Sequence, residues 1–200
     1  LCPERAEIIT ESFKRSEGQS IVIRRALALA DILEKMTIYI EPDMLIVGNQ
    51  ASANFAAPVF PEYSFNWVID ELDEFDKRSG DSFRVSESTK ARLRALQDYW
   101  QGKTHQDEVL ANLPQINRLA EKQGVLHRGG ISMSGDGHII PNHDFVLEVG
   151  YGGMRDIAKQ HLENDDTLND EQKDFYQAVI ITMEAALKYC KRFSALAKTE

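Results

Sequence analysis

The sequence predicts a mainly α-helical chain with a few short β-strands, on three observations. Apolar residues recur three and four apart in several long segments, and helix-capping residues stand before those segments. β-branched and aromatic runs without that period give two short strands near the front, with one further extended stretch in the middle. The 200 residues are 42% hydrophobic and 28% charged, so apolar material suffices for one sizeable core and disorder is not expected. One region over residues 1–200, with no separate second domain, is the expected organisation.

Taken in order, Pro3 suits a first helical position, and Glu4 to Arg15 carries Ala6, Ile9 and Phe13 at helical spacing before Gly18 ends the helix. A second helix runs to Met36. Its apolar set Val22, Ala26, Leu29, Leu33 and Met36 is widened by Ile23, Leu27 and Ala30, so it wants neighbours on more than one side. Thr37 to Ile40 and Leu45 to Val47 read as short strands around a turn at Glu41-Pro42-Asp43. From Gly48 to Tyr63 the mixture of Asn49, Gln50, Ser52, Asn54, Pro58 and Pro61 with small residues predicts a long loop, a kind of segment that often carries function.

Phe65 to Phe75 reads as a helix with Trp67, Ile69 and Leu72 inward. Ser86 caps a helix through Trp100 with Leu93, Leu96 and Trp100 on one face, and Gly102 stops it. Thr104 to Gln123 forms another that Pro114 kinks or divides. Between Gly124 and Pro141 the chain becomes glycine-rich, which permits close approach of a ligand or neighbouring chain. Asn142 then begins a helix to Val149, Gly150 to Gly153 turns the chain, and Met154 to Leu162 is helical again. In the last helix Asn169 and Gln172 resemble a capping box, and Phe175, Val179, Ala186, Cys190 and Phe193 form a stripe beside Tyr176, Ile180, Met183 and Leu187.

Composition excludes several partners. The 23 basic and 32 acidic residues leave a net charge of −9, and no basic stretch with interleaved aromatics is present, so nucleic acid and anionic membrane surfaces are poor matches. Apolar runs such as Ala178 to Ile181 fall far short of the ~20 residues that cross a bilayer. Only Cys2 and Cys190 are available, too few for a disulfide framework or a cysteine zinc site, which predicts a reducing, cytoplasmic setting. The opening Leu1-Cys2-Pro3-Glu4-Arg5 has neither a signal segment nor an initiator methionine, as a processed or truncated piece would have.

The densest polar constellation is Gly135-Asp136-Gly137-His138 followed by Pro141-Asn142-His143. Three readings stay open. His138 can donate a hydrogen bond or shuttle a proton, since imidazole titrates near neutrality and the glycines admit a substrate. Asp136, His138 and His143 can bind a metal, although no HExxH or CxxC supports one. Both histidines can simply cap helix ends. Elsewhere the bland reading is preferred: Asn49 as a turn former, Arg24 and Arg25 as salt-bridge partners, Cys190 as core. No GxSxG, Walker loop or dinucleotide fingerprint occurs, and Gly150-Tyr151-Gly152-Gly153 follows a helix rather than a strand.

Several blocks in order resemble a known family. Cys2-Pro3-Glu4-Arg5-Ala6, Thr10-Glu11-Ser12, Arg24 to Ala30 and Leu45-Ile46-Val47-Gly48-Asn49-Gln50 resemble the opening of the glycyl radical enzymes, in the branch of glycerol dehydratase and the pyruvate formate-lyase-like proteins. Ala57 to Tyr63, Tyr99 to Thr104, Gly135 to His138 and Leu147 to Gly150 continue the match over nearly the whole chain. The resemblance implies the amino-terminal helical part of a ten-stranded α/β barrel. It also implies a parent enzyme of dehydratase, lyase or formate acetyltransferase type in anaerobic metabolism, acting on a small-molecule substrate as a homodimer. Its glycyl radical would be made by an activating enzyme using S-adenosylmethionine and an iron-sulfur cluster, with no cofactor held by this chain.

No Gly-Cys-x-Glu-Pro cysteine loop and no Arg-Val-x-Gly-Tyr radical loop occurs in these residues, so the chain alone is expected to be inactive. A histidine from the amino-terminal region lines the pocket in the family's dehydratases. That role is carried to His138, with Ser132 and Met133 as neighbouring substrate-binding candidates. The rival reading is a noncatalytic helical interaction module derived from the same ancestor.

Overall fold

The computed structural model describes residues 1–127, 130–134 and 140–199, with Ile131 and Ser132 described through their backbone alone. Its helices are α1 (Glu4–Arg15), α2 (Ile21–Lys35), α3 (Asn66–Asp70), α4 (Glu87–Arg94), α5 (Gln97–Trp100), α6 (His105–Asn112), α7 (Gln115–Lys122), α8 (Ile131–Ser134), α9 (His143–Asn164) and α10 (Asp170–Leu196), with a 3₁₀ turn at Phe75–Lys77. The mainly helical reading holds. The chain divides into two units, one of Cys2–Ala57 with Pro141–Glu200 and the other of Leu1 with Pro58–Ile140.

In the first of these units α2 packs against α1 and α10, and α10 against α9. α1 has the expected start and face: Ala6, Ile9 and Phe13 are buried, and Thr10 and Ser16, buried with them, satisfy their hydroxyls on the carbonyls of Ala6 (2.6 Å) and Ser12 (2.7 Å). α2 is capped by Ser20 and does need several neighbours, yet its buried residues are Ala26, Ala28 and Ile32, with Met36 just after. Val22 and Leu29, expected inward, are 39% and 40% exposed. Ala26 and Ala28 are buried beside Ile32, since small side chains let helix backbones approach, and Val22 and Leu29 are left on the more exposed face.

α10 begins with the expected capping box: Asn169 accepts from the Gln172 amide at 2.9 Å, and Gln172 accepts from the Asn169 amide at 3.0 Å. Its buried residues are Ala178, Ile180, Ala185 and Phe193, whereas Phe175 and Cys190 are exposed. The expectation of Cys190 as a core residue is corrected. A helix flanked by α2 on one side and α9 on another buries two faces, and one period-3.6 stripe cannot describe both.

The expected strands at Thr37 to Ile40 and Leu45 to Val47 are absent, and no strand is found among the described residues. The backbone groups here bond to side chains instead. Glu4 accepts from the Thr37 amide (3.0 Å) and hydroxyl (2.6 Å), and Asn49 Nδ2 donates to the Thr37 carbonyl (2.7 Å). Leu45 and Ile46 are 100% and 90% exposed, so this stretch has no sheet to join. The expected glycine turn in α9 reduces to a kink at Gly150, whose φ of 65° and ψ of 173° are open to glycine without steric cost. A Cβ at Gly153 would stand 2.9 Å from that of Val149, so the helix resumes through a position that only glycine fits.

The second unit is built on Phe65, Val68, Leu72 and Phe75, all buried and spaced three or four apart. Of the inward set expected for a helix over Phe65 to Phe75 only Leu72 is buried, and Ile69 is half-buried, because Phe65, Val68 and Phe75 take the core side instead. That helix is broken into α3 and the 3₁₀ turn, and Trp67 lies partly outside. Phe75 meets Phe83 edge-on at 6.1 Å and lies under the Arg78 guanidinium at 4.3 Å, which also pairs with Glu71. Leu93, Leu96 and Trp100 share a buried face as expected, although the helix breaks between Arg94 and Gln97. Thr104 caps α6 in a capping box with Asp107, and Pro114 separates α6 from α7. The amides of His105 and Gln106 donate to the carbonyls of Glu62 and Tyr63, both at 2.9 Å, tying the irregular 58–64 segment to the start of α6.

Candidate functional site

The glycine-rich segment is entered through the end of α7. Gly124, at φ 72°, lets the chain reverse while its amide donates to Glu121 and the Val125 amide to Ala120 at 2.8 Å. The short α8 follows, its turn closed by the amides of Met133 (2.8 Å) and Ser134 (3.1 Å) donating to the Gly130 carbonyl, and it packs against α6. Met133 is half-buried there. Of the expected site residues Ser132 is placed through its backbone in α8, and His138 lies outside the described residues, as does Asp136 of the alternative metal set. On the other side of the segment Asn142 caps α9 by accepting from the Phe145 amide at 3.1 Å. His143 is the exposed first residue of that helix, as its reading as a helix start expects.

The other sequence candidates are held by the fold. Asn49 Nδ2 donates to the carbonyls of Thr37 and Ala51 (2.8 Å), and the Asn49 backbone is gripped by the Tyr189 hydroxyl, which accepts from its amide (3.3 Å) and donates to its carbonyl (3.0 Å). That is the turn-forming role, reached across 140 residues of sequence. Arg24 donates to the Phe13 carbonyl at 3.1 Å and stacks over the Phe13 ring at 4.6 Å, so it joins α1 to α2. Cys2 is buried with its Sγ 3.2 Å from Ser52 Oγ and accepting from the Ser52 amide.

Sequence reasoning missed a charged groove of about 200 Å³ in the first unit, floored by Leu27, Ala30, Ile181 and Ala185 and walled by Arg15, Asp31, Glu34, Glu184 and Lys188. Every charge in it has a partner: Arg15 and Lys35 on Asp31, Lys188 on Glu34 (2.7 Å) and Lys159 on Glu184 (3.0 Å). Burial pushes the Asp31 carboxyl up, but the hydrogen bonds from Lys35 and Arg15 and the Arg15 charge outweigh it and hold the group below the ordinary aspartate value. The i,i+4 pair Asp31–Lys35 was the one part of this network legible in advance. All but the Asp31–Lys35 pair join one helix to another, and together they leave none of the groove's lining charges unpaired. Among the described residues no group of His, Cys, Asp and Glu could hold a metal ion, and no helix is long and apolar enough to cross a membrane.

The family model for pyruvate formate lyase-like proteins matches residues 1–199. The chain belongs to that family. It is 36% identical over 201 residues to the probable dehydratase YbiW of Escherichia coli K12, a match covering 99% of this chain and 25% of that protein. Among solved structures, the glycerol-bound B12-independent glycerol dehydratase of Clostridium butyricum superposes with a TM-score of 0.92 at 39% identity, over 98% of this chain and 25% of that one. A glycyl radical enzyme from Archaeoglobus fulgidus gives 0.89 at 30% identity, over 100% and 26%. The chain thus spans about a quarter of the length of the relatives it matches, and corresponds to the amino-terminal quarter of glycyl radical dehydratases and lyases.

Proposed function

We propose that this chain is the amino-terminal helical region of a glycyl radical dehydratase or lyase and supplies one wall of its substrate pocket. The observation that carries the reading is the TM-score of 0.92 at 39% identity to a dehydratase solved with glycerol bound. We assign the wall to the stretch after α7, whose sequence holds Ser132, Met133 and His138 among glycines. His138 holds a proton for the leaving hydroxyl, since an imidazole titrates near neutrality and protonating the leaving group lowers its barrier.

Hydrogen-atom abstraction is supplied in the complete enzyme by cysteine and glycine loops whose motifs this sequence lacks. The two units described above belong to one domain of that enzyme, completed by the rest of the helix-wrapped ten-stranded barrel. A separate activating enzyme with S-adenosylmethionine and an iron-sulfur cluster generates the radical, and the parent is a cytoplasmic homodimer in anaerobic metabolism. Dehydration of a small diol is preferred over formate acetyltransferase chemistry because the relatives above with named reactions are dehydratases.

The test is an anaerobic assay of the complete, activated enzyme on glycerol, propane-1,2-diol and pyruvate. Turnover of a diol to an aldehyde is expected. Coenzyme-A-dependent cleavage of pyruvate with no diol turnover would overturn the dehydratase reading.

A further inference from the structure

α7 is an eight-residue helix with no buried residue, and Ile116 and Leu119 on one face are 70% and 47% exposed. Past the Gly124 turn, Val125 and Leu126 are 76% and 39% exposed. α6 before it, linked to α7 by Arg118 donating to the carbonyls of Leu110 (2.7 Å) and Leu113 (2.9 Å), also has no buried residue. Helices shorter than about 12 residues are marginal alone in water, and a sharply amphipathic one is held by what covers its apolar face. Among the described residues of its own unit none buries this face.

We propose, resting on the reading of this chain as one quarter of a longer enzyme, that Ile116, Leu119, Val125 and Leu126 form a docking face for the polypeptide that completes that enzyme. The occupant is argued from length: about three quarters of each relative lies outside the match, enough chain to cover the face.

Hydrogen exchange at the amides of residues 116–126 tests this, comparing the 200-residue chain with the full-length enzyme. In the chain alone these amides should exchange within roughly 10-fold of an unstructured peptide, and in the full-length enzyme on the order of 100-fold more slowly, the effect of covering a pair of aliphatic side chains. The double variant I116S/L119S should abolish that slowing in the full-length enzyme and leave the melting of the chain unchanged, whereas K122Q, off the apolar face, should leave the slowing intact. Equal exchange in both proteins overturns the proposal even where the full-length enzyme is active, and slowing of the chain that grows with its concentration would assign the face to a second copy. A reading frame that ends at Glu200 would overturn the parent-enzyme reading and the docking proposal together.

Discussion

Replacing Arg192 with Ala should unfasten α10 from the carboxyl end of α2. Helix ends leave carbonyls unpaired, and α2 has only Lys35 as a basic residue in its last turn, which is spent on Asp31. Arg192 reaches across 159 residues of sequence to donate Nη1 to the Leu33 carbonyl and across 156 to donate Nη2 to the Met36 carbonyl, both at 2.6 Å. A hydrogen bond to a charged group contributes about 1.5–3 kcal/mol net, and a cation at a helix carboxyl end about 0.3–1 kcal/mol more. The guanidinium is half-buried, and water can reach one of the freed carbonyls, so the expected loss is about 2–4 kcal/mol rather than the full sum. For a chain of this length each kcal/mol lowers the melting temperature by about 2–4 °C.

The assay is urea unfolding followed by circular dichroism at 222 nm, because Trp67 and Trp100 both lie in the other unit and fluorescence would not report on α2. The midpoint should fall with an unchanged slope. R192K should recover only part, since a lysine cannot fork to two carbonyls. A loss within about 0.5 kcal/mol, the range of an ordinary surface substitution, would refute the reasoning.

Four further outcomes are expected. Since the Asp31 pKa is lower folded than unfolded, its ion pairs stabilise fully above the ordinary aspartate value of 3.8 and lose that contribution as pH falls through the lower folded value; D31N should flatten the acid limb of a stability–pH curve, and an unchanged limb would show the network idle. N169A removes one half of the α10 capping box and should cost about 0.5–2 kcal/mol in the same urea assay, with a loss too small to measure counting against it. In the complete enzyme H138A should lower turnover by about 10²–10⁴-fold with radical formation and stability retained, while H143A should do far less; unchanged turnover in both would return His138 to a structural role. Finally, the chain alone, incubated anaerobically with the activating enzyme, should show no glycyl radical doublet in electron paramagnetic resonance and no turnover, and a doublet would refute the assignment of the radical loop to residues outside it.

Local chemistry explains which features were legible. Glu4 to Arg15, Thr104 before α6, the division at Pro114 and the Asn169–Gln172 box depend on residues within a turn of one another, and all stand where sequence puts them. Family membership was equally legible, because several short blocks in a fixed order are specific even when each alone is not. The candidate site was legible only as composition: glycines around His138 mark a backbone free to approach a ligand, without stating which side chains converge there.

What sequence could not supply was decided by contacts far apart in the chain. Thr37 to Ile40 has strand-forming residues, but propensity cannot provide a partner, and Glu4 and Asn49 took its first backbone groups instead. Cys190 sits on an apolar stripe, yet which stripe of α10 is buried depended on where α2 and α9 packed. Asn49 reads as a turn former from its neighbours alone, while its grip by Tyr189 from 140 residues away exists only in the folded unit. A capping residue acts through bonds the chain makes with itself at once, so sequence determines it; a buried face or a shared carbonyl needs a second element in place, and only the tertiary structure supplies that.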